Sequence, residues 1–138
     1  MARGKTAQTR RAEATLYLDK ALQFLEQARS GLEAGRNDAT LLDAIHAAIS
    51  AADAATIALA GVRSTDPDHQ RAADLLEEIA GAGSEVRERA RQLRGLLARK
   101  NAVEYESRKA TTKDARDGVE RASRVVVWAR EVVAQARL

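Results

Sequence analysis

The spacing of apolar residues in this chain is helical along its whole length, which leaves little room for a sheet-based fold. Ala14, Leu18, Ala21, Leu25, Ala28 and Leu32 recur at alternating steps of four and three, so they share one face of a first helix. The second helix, from about Asp38 to Ala60, differs in kind. Its Leu41, Leu42, Ile45, Ala48, Ile49, Ala52, Ala55 and Leu59 cover more than one face, as in an element with helices on several sides. Gly31 and Gly35 loosen the end of the first helix, and Asn37 is the predicted N-cap of the second. Nothing alternates with period two.

Gly61 and the stretch Arg63-Ser64-Thr65-Asp66-Pro67 break the pattern. Asp66 as N-cap with Pro67 at the first helical position predicts the start of a short third helix. Proline there lacks only an amide that has no partner within the helix. Leu75, Leu76 and Ile79 are its apolar anchors, and Gly81-Ala82-Gly83 stops it. Ser84 is the predicted cap of a fourth helix bearing Val86, Ala90, Leu93, Leu96, Leu97 and Val103. A fifth runs from about Thr112 to Ala136, with Thr111 as N-cap and Asp114 reaching back to its amide. The predicted fold is all-α, an antiparallel four-helix bundle with an additional short helix. Residues 1–11 read as a basic, flexible N-terminal arm and 12–138 as a single domain.

Much of the apolar 45% is alanine, with one Phe, two Tyr and one Trp. Alanine buries little area, so close approach of helices must supply the packing. A lone copy has a thin core, which favours a homodimer. Trp128 beside the inward Ala129 reads as a core or interface anchor rather than a platform for bases.

The absence of cysteine excludes disulfides, thiolate zinc sites and cysteine nucleophiles. Two histidines and no Glu-x-x-His pair give no basis for a metal, and no cofactor is expected. There is no nucleophile elbow and no glycine-rich phosphate loop. No run is read as approaching the ~18 apolar residues of a membrane span. The expectation is a cytoplasmic protein without a membrane partner.

Charge is unevenly distributed. Residues 12–84 carry five basic against twelve acidic residues, whereas 85–138 carry fourteen basic against eight acidic. The positive C-terminal half can face phosphate, or it can pair with the acidic half.

Three stretches carry a family resemblance: AIHAAISAADAATIALAGV, DPDHQRAADLLEEI and LLARKNAVEYESRKATTKDARDGVERASRVVVWA. Over residues 12–135 the chain resembles a HEPN domain, the nucleotide-binding helical domain shared by higher eukaryotes and prokaryotes. The resemblance implies a four- or five-helix bundle that usually dimerises. In active members, R-x(4–6)-H, often with Asn after the Arg, cleaves RNA without a metal from two motifs facing each other across the dimer. Other members have lost the motif and bind nucleotides, RNA or protein partners.

At the position of that motif this chain has Lys100-Asn101-Ala102-Val103-Glu104-Tyr105. Lysine keeps the charge but loses bidentate phosphate geometry, and tyrosine, with an ordinary pKa of about 10, is a poor base at neutral pH. Lys100 and Tyr105 are the catalytic candidates if there is catalysis, and the reading leans against it. Arg63 and His69 also satisfy the motif's spacing, but they straddle the Asp66-Pro67 break.

A polar seam, Asp43, His46, Ser50 and Asp53, runs along the second helix. Asp43 and His46 read as its solvated side. Asp53, among alanines, needs a partner, and Arg94 or Lys100 is the expected one.

The expected function is a non-catalytic binding or regulatory module engaging RNA, a nucleotide or a protein through Arg94, Arg99, Lys100, Asn101 and Tyr105. One alternative is a metal-independent ribonuclease of the toxin type, which in this family is usually neutralised by a nucleotidyltransferase-like antitoxin. Another is a purely structural helical protein. The dimer seam is expected to include the second and fourth helices.

Overall fold

In a computed structural model, described for residues 4–81, 83–107 and 109–138, the chain is an all-α bundle with one small ribbon. The elements are β1 (Thr6–Gln8), α1 (Ala14–Glu33), α2 (Asn37–Ala60), β2 (Val62–Ser64), α3 (Gln70–Ala80), α4 (Ser84–Leu97), α5 (Lys100–Tyr105) and α6 (Thr112–Gln135), with a 3-10 turn at Arg11–Glu13.

The second helix is the axis. Ala44, Ala47, Ala48, Ala51, Ala52, Ala54, Ala55 and Ala58 are each at most 1% exposed, together with Ile45 and Ile57. Side chains this small let neighbouring helices approach closely on several sides at once. Close approach also needs glycine on the facing helices. A Cβ on Gly31 of α1 would stand 2.5 Å from the Thr40 hydroxyl, and one on Gly118 of α6 would stand 2.7 Å from Leu41.

Helices α1 and α2 form a hairpin. Helix α6 lies along α2 in the same direction: Asn37 Nδ2 donates to the Thr112 hydroxyl at one end (3.2 Å), and Val133 packs with Ala54 and Ile57 towards the other. Helices α3 and α4 close the remaining side, bolted together by Arg94 of α4. Its guanidinium pairs with Asp74 (2.9 Å) and with Glu77.

By length and hydropathy α2 does qualify as a membrane span, contrary to the sequence expectation, but 72% of its most apolar window is buried in the bundle. It has the character of a core helix.

Several element ends differ from expectation. Asn37 is the first residue of α2, not its cap; its side chain reaches across to α6. Ser84 opens α4 without capping it, behind Gly83. Helix α3 begins at Gln70, three residues beyond Pro67, although the Asp66 carboxylate does accept from the Asp68 amide as well as from that of Lys5 (both 2.9 Å). The Thr111–Asp114 capping box is present at α6.

The predicted fourth helix is two. At Arg99 the backbone amide bonds Leu96 at i−3, which tightens the last turn of α4 before α5 begins at Lys100. Neither proline nor glycine marks this break, so the apolar pattern runs through it unmarked.

Part of the N-terminal arm is tied down. Residues Thr6, Ala7 and Gln8 pair antiparallel with Ser64, Arg63 and Val62.

Gly31→Ala should cost about 1–3 kcal/mol in urea unfolding, since the added methyl overpacks a filled contact. Adding Thr40→Ala should recover part of that loss, because the Thr40 hydroxyl is buried without a hydrogen-bond partner.

Candidate binding cleft

The residues singled out from the sequence do not converge on one site. The short helix α5 distributes them to opposite sides. Lys100 and Asn101 line a cleft of about 330 Å³ with Pro67, Asp68, His69, Gln70, Leu97 and Ala98. Arg99 faces a different cavity. Arg94 is committed to Asp74 and Glu77 of α3 and is structural. Tyr105 is 80% exposed, and its hydroxyl bonds the neighbouring Glu104.

The cleft is built by three chain segments. The C-terminal turn of α4 supplies Leu97 and Ala98, and the first turn of α5 supplies Lys100 and Asn101. The third wall is the approach to α3. There the Asp68 carboxylate accepts from the Gln70 amide (3.1 Å), and the Gln70 side chain donates to the Arg94 carbonyl (3.2 Å). These two bonds hold His69 at the rim. His69, which with Arg63 straddles the Asp66-Pro67 break, lines the same cleft as Lys100 and Asn101.

Lys100 is not a free cation. Its ammonium lies 2.8 and 2.9 Å from the two carboxylate oxygens of Glu104, one helical turn on, with both side chains 16% exposed. That hydrogen bond holds the Glu104 carboxyl below its usual range. Any anion entering the cleft must compete with Glu104.

Behind this pair sits His46 of α2. It is half-buried rather than solvated, stacked on Phe24 of α1 with ring centroids 5.3 Å apart. Burial lowers its pKa, and the Lys100 ammonium adds to that. Asp43 is half-buried as well, and burial raises its carboxyl. Ser50, the third member of the seam, is buried, so the seam is only partly open.

Asp53 does not pair with Arg94 or Lys100, a correction to the sequence expectation. The cations that act on it are Arg63 of β2 and Lys20 of α1, and burial outweighs both, raising its pKa to about 7. Lys20 and Arg63 both lie against the Tyr17 ring, at 5.2 and 5.8 Å from its centroid. Arg63 is thus part of a separate cluster from His69. Among the described residues no group of three His, Cys, Asp or Glu side chains is arranged to hold a metal.

The HEPN domain family model matches residues 14–132, and the chain belongs to that family. HEPN domains are nucleotide-binding or ribonuclease-type modules. No curated protein matches the chain.

Because the Asp53 carboxyl binds its proton more tightly in the folded state, stability should fall as pH rises from about 4 through about 7. Asp53→Asn should flatten that slope and raise stability above pH 7 by up to about 4 kcal/mol, read from urea midpoints across the pH range.

Proposed function

We propose that the chain is a non-catalytic HEPN binding module whose ligand is RNA, held by its phosphates along α6. The observation that carries this reading is the exposed edge of that helix. Lys113, Arg116, Arg124 and Arg130 stand exposed there, with no ion pair to a described carboxylate. They fall within about a third of the helix circumference, along about 26 Å of the helix. Glu120 and Glu131 share the face and moderate its charge. The motif position itself is occupied by an internally neutralised Lys100 and an outward Tyr105, which supports binding without chemistry.

A homodimer fits this reading. Leu42, His46 and Ile49 form the open strip of α2, flanked by Phe24 and bordered by α5. The seam so proposed uses α1, α2 and, of the predicted fourth helix, the part that forms α5. Ile49→Arg should halve the particle mass in light scattering; an unchanged mass would remove this seam.

A second reading, a metal-independent ribonuclease paired with a nucleotidyltransferase-like antitoxin, is favoured by one observation. His69 lines the same cleft as Lys100 and Asn101. An imidazole there can take the proton of a ribose 2′-hydroxyl, which Tyr105 is poorly suited to do.

One assay separates the readings: labelled single-stranded RNA in EDTA, followed by anisotropy and then on a denaturing gel. The expected outcome is intact RNA and an affinity that drops steeply between 50 and 200 mM salt. Combining Arg116→Ala, Arg124→Ala and Arg130→Ala should reduce the salt slope by about 2, at ~0.7 per phosphate. Lys100→Ala should change affinity by less than about twofold. RNA cleavage lost in His69→Ala would establish the second reading; salt-insensitive binding would reject an RNA ligand on α6.

A further inference from the structure

We propose that the cavity between the start of α2, α5 and the start of α6 is a binding site for a small monocarboxylate with a compact apolar body. The site lies on the opposite side of α5 from the Lys100 cleft and is independent of the function proposed above.

The cavity holds about 190 Å³ and is lined by Leu41, Arg99, Ala102, Val103, Lys109, Ala110 and Asp114. That is smaller than the ~300–1,000 Å³ of sites for drug-sized molecules, so its ligand is small. Four of the walls are apolar side chains from three segments. Their placement is fixed by polar bonds outside the cavity. The Asp38 carboxylate accepts from the Ala110 amide (2.7 Å), and Asn37 reaches Thr112 (3.2 Å), strapping the α5–α6 connector to the start of α2.

Arg99 supplies the recognition. Its Nη1 is buried and has no hydrogen-bond partner. The nearest carboxylates, Asp114 and Asp117, lie 3.7 and 3.9 Å away, beyond hydrogen-bonding reach. Both carboxylates make shorter bonds elsewhere, Asp114 to the Thr111 amide (3.0 Å) and Asp117 to Arg121 (2.9 Å). Arg94 and Arg91, by contrast, are closely paired through Asp74 and Glu88. The Arg99 side chain as a whole is 42% exposed and lines the cavity, so the guanidinium can present its charge to a ligand carboxylate there. Lys109 adds a second cation at the lining.

The charge balance selects the ligand class. Arg99 and Lys109 favour one negative charge, while Asp114 in the wall and Asp117 beside Arg99 oppose a second. A carboxylate fits this balance better than a phosphate dianion, and the apolar walls ask for a short branched or aryl body. The carboxylate can come from a free acid or from the C-terminus of a peptide ending in an apolar residue.

The test is titration of the full chain, followed by amide NMR, with isovalerate, isovaleramide and inorganic phosphate. Isovalerate should give saturating shifts at Ala102, Val103 and Ala110, with isovaleramide and phosphate at least about tenfold weaker. Arg99→Gln should weaken isovalerate about tenfold or more. Ala102→Phe, which fills the cavity away from Arg99, should abolish binding and guards against misfolding of the arginine variant. A leucine-ending tripeptide, free or amidated at its C-terminus, identifies the source: tighter binding of the free peptide than of isovalerate marks a protein terminus. Absence of saturating shifts, equal binding of isovaleramide, or phosphate binding as tight as isovalerate overturns the proposal.

Discussion

Everything in this bundle depends on α2 being thin enough to be surrounded. A helix this rich in alanine offers little area per residue, so it stabilises the fold only if neighbours press close on several sides. Gly31 and Gly118 are where that requirement is sharpest, because neither contact has space for a methyl group. The larger anchors, Leu76, Leu93, Leu96, Val125, Val126 and Trp128, sit on the helices around it. The result is a core whose bulk is peripheral and whose centre is backbone. One strip of α2, from Leu42 to Asp53, is left partly uncovered, between α1 and α5.

The ionic residues divide by task. Arg94 fastens α4 to α3, Lys100 and Glu104 neutralise each other over His46, and Asp66 gathers the N-terminal strand and the approach to α3. These are architectural uses of charge. The exposed Lys113, Arg116, Arg124 and Arg130 of α6 have no such partner among the described residues, and Arg99 has no carboxylate closer than 3.7 Å. Net charge at pH 7 is only +3, and it is the location of unpaired cations that gives the surface its preferences.

The fold class was legible because periodicity, capping and composition agreed; the Thr111–Asp114 box stands where the sequence put it. The break at Arg99 was not legible, since a shift from i−4 to i−3 bonding leaves no compositional mark. That one shift sends Arg99 and Lys100 into separate cavities. The Lys100–Glu104 pair was within reach of an i, i+4 reading. His69 was not: its approach to Asn101 depends on how residues 61–69 travel from the end of α2 to the start of α3, and on Asp68 and Gln70 fixing that path. Asp53 found Arg63 and Lys20 for the same reason, because the β2 strand brings Arg63 alongside Tyr17. A three-residue ribbon is too short to show period two.

That ribbon also makes the beginning of the chain a mechanical lever. Strand β1 is paired to β2, and the amide of Lys5 is fastened to Asp66, two residues after β2 and three before His69. Whatever is attached ahead of Gly4, whether a neighbouring domain or an affinity tag, is therefore coupled to the rim of the Lys100 cleft through a few hydrogen bonds. Tension or crowding at that end loads the His69 loop before it reaches any helix. The terminus farthest from the motif in sequence is, in force transmission, one of its closest neighbours.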